Sequence, residues 1–406
     1  MQNTQTTPDM PVAEAWRVVD AAVLPLEAEA AELAEARGRV LRRDICADAD
    51  QPPFDRSAMD GYAFLPEPGA ARYKLVGSVK AGEVAAVTPG KGEAVRIFTG
   101  AELPAAGMAV LMQEEAQVEA EMLVVSRQIV LGENVRRRGT DARAGEVLVH
   151  AGTVMGAAEV AIAASVGEVR PMVTRWPRVA HATTGEELVA PMDKPGPGKI
   201  RDSNQGLIAA LLAGGGLPGG CVQQERWGDA ADDAVKRLTA EPFATADIVL
   251  ISGGVSVGEH DYAARALQEA GFELRVRRIN SRPGRPFIFG VQGRRLAFGL
   301  PGNPVSHFVC YHLFVRRALA RLAGTAPAGM VRARLAVALE RAGNPRPTYW
   351  PGMWSFDENG GATVRPLAWG NSGHLAALAG ANALLLVPPH TAALPAGGVV
   401  DTLPVA

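Results

Sequence analysis

The sequence is poor in cysteine, in aromatic residues and in net charge. Its three cysteines, Cys46, Cys221 and Cys310, lie far apart and form no CxxC pair. This spacing argues against a disulfide framework, a zinc site or an iron–sulfur cluster, and it favours reduced thiols. Forty-one basic residues stand against 43 acidic ones, which leaves a net charge of −2. Because no global charge attracts nucleic acid or an anionic membrane, any anion must be bound locally.

Long apolar runs, low-complexity tracts and internal repeats are also missing. No run approaches the roughly 18 apolar residues of a membrane span, and the first ten residues lack the basic start and apolar core of a leader. We therefore expect a cytoplasmic protein with no membrane or nucleic-acid partner. Its 406 residues, 48% hydrophobic and 21% charged, predict a folded chain of two to four domains at roughly 100 to 200 residues each.

The amino-acid composition changes twice in the first half of the chain. Residues 11–41 are rich in Ala, Glu, Leu and Arg and predict one or two surface helices, with acidic residues at helix-like intervals at Glu27, Glu29, Glu32 and Glu35. The paired prolines Pro52 and Pro53 then exclude a continuing helix. Between about 60 and 150, short apolar runs separated by glycine and proline predict a small β-rich domain.

From residue 177 onward, strands, loops and helices alternate. Residues 179–183 and 247–251 predict buried strands, and the alternation over 272–277 predicts a strand exposed on one side. Ser203 and Asp229 are placed to cap helices that begin just after them. The residues from about 326 to the end again favour a small β domain, because glycine and proline separate short apolar runs there.

The most informative motif is the loop SGGVSVGEHDY at 252–262, directly after the apolar run 247–251. Its glycines and serines predict exposed backbone N–H groups for a phosphate at the carboxyl end of a strand. The loop matches neither GxGxxG nor GxxxxGK[ST], so it indicates neither dinucleotide nor Walker-type binding. The carboxylates of Glu259 and Asp261 that follow are typical of Mg²⁺ sites beside phosphates.

Two further motifs point to anions. Arg282 and Arg285, in the stiff turn RPGRP, offer planar forks of donors to a tetrahedral oxyanion. The segment LPGNPVS at 300–306 predicts a helix N-terminus with unpaired N–H groups. The seven histidines form no HExxH or HxH pattern, which argues against a histidine-ligated metal. We also expect no covalent enzyme intermediate, because no Ser or Cys in these motifs is paired with a suitable His.

Taken in order, eight segments resemble blocks of the molybdopterin molybdenumtransferase family, which includes the bacterial MoeA proteins and the E domain of gephyrin. They cover nearly the whole chain and read SAMDGYA (57–63), FTGAELP (98–104), NVRRRGTD (134–141), TTGEELV (183–189), SGGVSVGEHDY (252–262), RPGRPFIFG (282–290), LPGNPVS (300–306) and NSGHLAALAGANALLLVPP (371–389). The match rests on eight blocks in register and not on any single one.

This resemblance implies a multidomain α/β and β protein. It implies an elongated linker domain formed by 1–50 and 140–176, a β-rich domain over 51–139, a three-layer α/β molybdopterin-binding domain over 177–325, and a barrel-like β domain over 326–406. It further implies an elongated homodimer that inserts molybdenum from molybdate into adenylylated molybdopterin with Mg²⁺ and releases AMP. A molybdopterin adenylyltransferase and molybdoenzyme maturation proteins are further candidate partners.

The resemblance also carries roles to matching positions. The catalytic set that it implies is Asp60, Thr99, Asp141, Glu187 and Asp261, and the metal set is Asp261, Glu187 and Asp229. The substrate-binding set is Gly253, Gly254, Ser256, Arg282, Pro283, Arg285, Pro301, Asn303, Pro304, Ser306 and Ser372. On this basis we expect the protein to position and neutralise its anionic substrates.

Four positions in three segments depart from the family pattern. Two lysines are replaced by Arg282 and Arg285, a glutamate by Thr140, and an expected arginine by Pro351, although Arg346 stands five residues earlier. Planar guanidinium groups in place of ammonium groups could alter the choice of oxyanion. Three alternatives therefore stay open: a relative that handles tungstate or a modified pterin, the preceding adenylyltransferase step with ATP, and a non-enzymatic scaffold.

Overall fold

The computed structural model of the chain describes residues 9–255, 262–340 and 343–405. These residues form two compact units. The larger unit consists of the described parts of Met1–Glu29, Gly38–Val40 and Thr174–Ala406, and the smaller unit of Ala30–Arg37 and Leu41–Val173.

A mixed seven-stranded sheet forms the centre of the larger unit. Its strands lie side by side in the order Met10–Pro11, Glu273–Asn280, Pro286–Gln292, Arg295–Leu300, Ile248–Ser252, Val179–Thr184 and Val222–Trp227. The last four are mutually parallel, so their carboxyl ends meet at one edge. Open parallel sheets bind ligands at such an edge, and the fold therefore directs the search for a site to this place.

Helices cover both faces of this sheet. Val12–Ala22, Asn204–Gly214 and Pro304–Cys310 pack on one face, and Ala231–Leu238 and Tyr262–Glu269 on the other. Within the strand Ile248–Ser252, successive apolar side chains alternate between the two cores, which explains why the run is apolar throughout. The predicted three-layer α/β domain is confirmed. The helix Pro304–Cys310 continues through a π-helical turn, Tyr311–Val315, into Arg316–Ala323.

The C-terminal part of the larger unit is a closed five-stranded barrel, as predicted. Its strands are Val331–Leu335, Ala362–Pro366, Thr348–Phe356, Ala383–Val387 and Val399–Pro404, in their order around the barrel. A separate core fills it, in which the rings of Trp350 and Trp369 meet edge to face with centroids 5.0 Å apart. Closure leaves no unpaired strand edge in the barrel, which protects the chain from edge-to-edge association.

The smaller unit is β-rich, as predicted. Its six-stranded sheet has the order Ala109–Met112, Gly61–Phe64, Glu93–Ile97, Arg72–Val79, Met122–Val124 and Gln117–Glu119. It also contains the helix Ala157–Ser165 and two short strand pairs, Arg56–Ser57 with Val135–Arg136 and Ile45–Cys46 with Val147–Val149. The remaining short elements of the chain are Ala28–Ala30, Leu33–Glu35, Gln113–Glu115, Met172–Thr174, Leu188–Val189, Ile200–Arg201, Gly219–Cys221, Phe243–Thr245 and Leu375–Leu378.

The helix prediction for 11–41 is correct only for its first third. The helix Val12–Ala22 forms, but the acidic stretch after it contains only the strand Ala28–Ala30 and a single 3₁₀ turn. Pro25 interrupts the helix because it lacks an N–H and restricts the residue before it. The glutamates instead make tertiary ion pairs, Glu27 with Arg175 at 3.1 Å and Glu29 with the buried Arg39. Among the described residues, no helix is both long and apolar enough to cross a membrane.

Three buried histidines make the larger unit sensitive to acid. Burial lowers the pKa of His181 to about 3, of His307 to about 4 and of His312 to about 3. The nearby cation of Arg316 further lowers the pKa of His312, and neither ring nitrogen of His312 has a hydrogen-bond partner among the described residues. Each of these imidazoles is therefore neutral in the folded protein at neutral pH.

We predict that the free energy of unfolding falls as the pH drops from about 6.5 towards 4 and is unaffected by these groups above 6.5. The unfolded chain binds a proton on each histidine near pH 6.5, whereas the folded protein excludes it, so acid favours unfolding. His312→Leu should reduce this slope by up to about 1.4 kcal/mol per pH unit, as measured by urea unfolding at several pH values. The same substitution at His150, whose side chain is 78% exposed, is the control. Parallel slopes for His312→Leu and the parent would contradict the prediction.

Candidate functional site

A polar cleft of about 780 Å³ opens at the carboxyl ends of the parallel strands. It is lined by residues of four motif segments, by residues 200–204 and by Asp229. The lining includes Thr184, Gly185, Glu187, Asp202, Asn204, Asp229, Ser252, Gly253, Gly254, Tyr262, Gly302, Asn303, Pro304 and Gly373. The structure thus brings together Gly253, Gly254, Glu187, Asp229, Asn303 and Pro304 from the predicted set. Ser256 and Asp261 lie outside the described residues.

The loop after Ile248–Ser252 requires its two glycines. A Cβ on Gly253 would lie 2.6 Å from the carbonyl oxygen of Thr184, and one on Gly254 would lie 2.3 Å from the Tyr262 ring. Both glycines also have positive φ, +100° and +64°, which disfavours any other residue. The close approach allows the loop to lie flat against the strand ends beneath the cleft.

One backbone N–H of the glycine loop is not available to an anion. Gly253 N–H donates to the carbonyl oxygen of Leu300 at 3.0 Å, so it already has its partner and does not face a ligand. This bond ties the loop to the end of the neighbouring strand Arg295–Leu300, where Gly302 approaches Gly253. A bound anion must therefore find its donors among other groups of the loop or of the cleft.

Two carboxylates face the cleft beside Tyr262. The Tyr262 hydroxyl donates to Asp229 Oδ1 at 2.9 Å. Burial raises the pKa of Tyr262, and the negative charges of Asp229 and Glu187 raise it further, so the hydroxyl keeps its proton. The sequence predicted that Asp229 caps the helix Ala231–Leu238, and this prediction is wrong. Its oxygens face Tyr262 and the N–H of Glu186 instead.

These two carboxylates supply oxygen ligands only. Within the described ranges no cluster of three or more His, Cys, Asp or Glu side chains is preformed for a metal. A hard cation such as Mg²⁺ fits this donor set, because it commonly takes one or two protein carboxylates and completes its shell with water and substrate phosphate. The third predicted ligand, Asp261, lies outside the described residues.

The LPGNPVS segment forms the opposite wall. Asn303 and Pro304 line the cleft at the start of the helix Pro304–Cys310, and the N–H of Val305 donates to the backbone oxygen of Ser372 at 3.0 Å. Pro301 accepts a hydrogen bond from His307 Nδ1 through its carbonyl oxygen at 3.2 Å. Ser306 is buried and does not line the cleft. Of this segment, only Gly302, Asn303 and Pro304 are in a position to meet a ligand.

Sequence reasoning missed the residues 202–204 and Tyr262. Asp202, and not Ser203, caps the helix Asn204–Gly214, because its Oδ1 accepts from the N–H of Gln205 at 3.0 Å. Its other oxygen accepts from Thr183 Oγ1 at 2.5 Å. Asn204 Nδ2 donates to the oxygen of Gly302 at 2.7 Å and ties the start of its helix to the LPGNPVS segment. The strongest signal was the tripeptide DSN, which has the residue types of a helix start.

The structure also contains a serine–histidine pair, contrary to the expectation from sequence. Ser252 Oγ lies 2.7 Å from His181 Nε2, and both residues are buried. They come from two neighbouring strands, 71 positions apart in the chain, so no local motif reveals them.

Arg282, Pro283 and Arg285 do not line this cleft but lie in a turn that packs on the helix Pro304–Cys310. A Cβ on Gly284 in this turn would lie 2.6 Å from Cys310 Sγ. Arg282 lies over the Trp369 ring, with 5.0 Å between its guanidinium carbon and the ring centroid, and Arg285 pairs with Asp9 at 2.6 Å. The turn therefore forms a separate basic surface.

A third arginine belongs to this basic surface. Burial lowers the pKa of Arg346, and the positive charges of Arg285 and Arg282 lower it further. Its Nη1 donates to the oxygen of Ser281 at 2.8 Å. Pro351, the departure from the family pattern, is instead buried in a barrel strand opposite Leu384. A third guanidinium is thus present although position 351 does not provide one.

In the smaller unit, the structure joins two predicted residues. Asp60 Oδ1 accepts hydrogen bonds from Thr99 Oγ1 and from the Thr99 N–H, both at 2.7 Å. These bonds from Thr99, with the charge of Arg96, lower the pKa of Asp60. The next position requires glycine, because a Cβ on Gly61 would lie 2.0 Å from the backbone oxygen of Leu111.

Asp141 makes a different set of contacts. Both of its carboxylate oxygens accept from Arg136 Nη2 at 2.6 Å. Arg136 lies in the strand Val135–Arg136, which pairs with Arg56–Ser57. The three motifs of this unit therefore come together in the fold, although Asp141 is satisfied by its own arginine.

Comparison with known proteins gives three family matches that cover most of the chain. Residues 10–167 match the MoeA N-terminal region (domain I and II), residues 180–321 a probable molybdopterin binding domain, and residues 332–405 the MoeA C-terminal region (domain IV).

Several relatives match over nearly their whole length. A molybdopterin molybdenumtransferase of Nostoc sp. is 34% identical over 384 residues, 89% of this chain and 85% of the relative. One of Staphylococcus epidermidis is 30% identical over 382 residues, 91% and 90% of the two chains. The crystal structure of the molybdopterin biosynthesis moeA protein from Pyrococcus horikoshii OT3 superimposes with a TM-score of 0.79 at 28% identity, covering 98% of this chain and all of that one.

We predict that Thr99→Val raises the pKa of Asp60. Valine keeps the backbone N–H but removes the hydroxyl that donates to the ionised carboxylate, so the charged form loses one of its two hydrogen bonds from residue 99. The pKa is measured by carbon-13 NMR of the carboxyl group. Thr140→Val, which removes a hydroxyl bonded to the oxygen of Arg137, is the control. An Asp60 pKa equal to that of the parent would show that the hydroxyl does not stabilise the carboxylate.

Proposed function

The chain belongs to the molybdopterin molybdenumtransferase family of MoeA proteins. From this premise we propose its substrates and the roles of its cleft residues. It is an enzyme of molybdenum cofactor biosynthesis. We propose that it transfers molybdenum from molybdate to adenylylated molybdopterin, with Mg²⁺ as cofactor, and releases AMP.

The observation that supports this proposal best is the composition of the cleft. Glu187, Asp229 and the protonated Tyr262 stand on one wall, and Asn204 and Asn303 on the other. Amide and hydroxyl donors suit a pterin and phosphate groups, whereas two carboxylates repel a phosphate unless a cation lies between them. This arrangement fits an anionic phosphate ester that arrives with a divalent cation.

Glu187 and Asp229 are the described residues that would hold Mg²⁺. When bound, the ion would polarise the phosphoanhydride and neutralise charge on the departing phosphate. Tyr262 restrains Asp229 through its 2.9 Å hydrogen bond, so the carboxylate keeps one orientation. The chain's own contribution is thus to orient ligands and balance charge.

The basic surface formed by Arg282, Arg285 and Arg346 supports oxyanion capture. Three guanidinium groups face a single described counter-ion, Asp9, so this surface has an excess of positive charge. Guanidinium forks bind tetrahedral dianions in more than one orientation. We propose that molybdate is collected there.

The assay that tests the proposed function offers adenylylated molybdopterin, Mg²⁺ and either molybdate or tungstate to the purified protein. We expect AMP release and protein-bound molybdenum with molybdate. Consumption of ATP with plain molybdopterin would instead identify the adenylyltransferase step, and no turnover with any oxyanion would favour a scaffold. We further propose that the protein is cytoplasmic and that it is a homodimer. Analytical ultracentrifugation tests the homodimer.

We predict that Asp229→Asn greatly raises the Mg²⁺ concentration needed for half-maximal AMP release, by about tenfold or more, because a neutral amide is a weaker ligand for a hard cation. Glu187→Gln should act in the same direction. Asp232→Asn, in the helix that begins two residues after Asp229 and with its side chain 82% exposed, is the matched control. Equal Mg²⁺ dependence in Asp229→Asn and Asp232→Asn would remove Asp229 from the metal site.

A second prediction concerns the basic surface. Arg282→Lys combined with Arg285→Lys should weaken molybdate binding about tenfold at fixed ionic strength, because lysine keeps the charge but loses the paired donors. Arg294→Lys, at an exposed arginine that donates to the oxygen of Pro25, is the control. Binding is measured by equilibrium dialysis with molybdate. Unchanged affinity in the double variant would mean that charge alone suffices.

A further inference from the structure

A chain of polar groups, from the half-buried Gln224 to the buried His181 and Ser252, runs beneath the floor of the cleft. Gln224 Nε2 lies 3.0 Å from the carbonyl oxygen of Gln205 and 2.9 Å from His181 Nδ1. On the other side of the ring, His181 Nε2 lies 2.7 Å from Ser252 Oγ. His181 is fully buried, and Ser252 is 2% exposed and lines the cleft.

The partners of this chain determine where each proton lies. A backbone carbonyl only accepts, so the Gln224 atom beside Gln205 must be the amide nitrogen. Its second hydrogen then points to His181 Nδ1, which must carry a lone pair. A neutral imidazole has a single N–H, so the proton lies on Nε2 and is donated to Ser252 Oγ.

This assignment has two consequences for Ser252. His181 cannot take the serine proton, because the nitrogen that faces Ser252 is already protonated, so the pair is not a base and a nucleophile. Ser252 Oγ is an acceptor towards His181, and its own proton is free to point elsewhere. Within the part of the chain that the structure describes, Ser252 Oγ has no second partner.

The surroundings keep His181 neutral. The ring of His307 lies edge-on at 6.4 Å between centroids, and its charge would oppose protonation of His181. His307 in turn is bonded to the oxygen of Pro301 and lies near the buried carboxylate of Asp202. Burial lowers the pKa of both imidazoles, so neither changes its charge near neutral pH.

We propose that His181 is a positioning residue that turns the proton of Ser252 into the cleft, where the hydroxyl donates to a phosphate oxygen of the pterin substrate. The Gly253 N–H beside it is already bonded to Leu300, so the Ser252 hydroxyl supplies a donor that the loop backbone at this point does not. The identity of the substrate rests on the proposed function. The proton arrangement of Gln224, His181 and Ser252 does not.

The decisive variant is Gln224→Glu. A carboxylate only accepts, so it draws the imidazole proton to Nδ1 and leaves a lone pair on Nε2. With a neutral His181, Ser252 then donates to Nε2 and withdraws its proton from the cleft. We expect KM for adenylylated molybdopterin to rise about tenfold, with kcat changed less than about threefold. Gln223→Glu, which places the same charge on the neighbouring exposed residue, is the control.

Nitrogen-15 NMR of the histidine side chains reports the tautomer of His181. A purely structural role of Gln224 would leave this tautomer unchanged. We expect an Nε2–H tautomer of His181 in the parent and in Gln223→Glu, and an Nδ1–H tautomer in Gln224→Glu. An Nδ1–H tautomer in the parent would overturn the assignment. An unchanged KM in Gln224→Glu despite the moved proton would refute the role of Ser252.

Ser252→Ala separates this inference from the proposed function. We expect it to weaken binding of inorganic pyrophosphate, measured by calorimetry, about tenfold while the His181 tautomer stays the same. If the parent transfers no molybdenum but pyrophosphate binding still depends on Ser252, the proposed function fails and the positioning role stands. If Ser252→Ala binds pyrophosphate as the parent does, the positioning role fails whatever the activity.

Discussion

The hydrogen bond from Gly253 N–H to the oxygen of Leu300 is the contact on which the site depends. It joins the carboxyl ends of two adjacent parallel strands and holds the glycine loop near Gly302, where an added Cβ would lie 3.8 Å from Gly253 Cα. Every wall of the cleft is placed relative to this junction: Tyr262 packs on the loop, and Asn204 reaches across to Gly302. A backbone bond is well suited to this purpose, because it cannot be rotated away as a side chain can.

Beneath this junction lies a layer of buried polar groups that an ordinary α/β core would fill with apolar side chains. His181, His307 and Asp202 are each at most 2% exposed. Burying polar groups is unfavourable unless they are hydrogen-bonded. Gln224, Ser252, Thr183 and Pro301 supply partners to this layer, whereas His307 Nε2 has none among the described residues. On our predictions, the layer lowers the resistance of the fold to acid and fixes the direction of the Ser252 hydroxyl at the cleft floor.

Much of the fold could be predicted from residue patterns. The run 247–251 is apolar throughout because both faces of its strand are covered, and the glycine loop after it is confirmed as part of a cleft. Predictions failed where a tertiary partner outweighed a local preference. Asp229 was expected to cap a helix but faces Tyr262. The stretch with Glu27 and Glu29 forms ion pairs instead of a helix, Glu27 with Arg175, 148 positions away, and Glu29 with Arg39, ten positions away.

The sequence by itself determined the family, the layer architecture and the segments that form the cleft, because these follow from local motifs and from the periodicity of apolar residues. Only the tertiary structure decided which groups meet within it. The pairing of Ser252 with His181, the orientation of Gln224 and the grouping of Arg346 with Arg282 and Arg285 all join residues many positions apart. Hydrogen bonds of about 3 Å depend on strand register and backbone geometry, which no spacing of residues along the chain encodes directly.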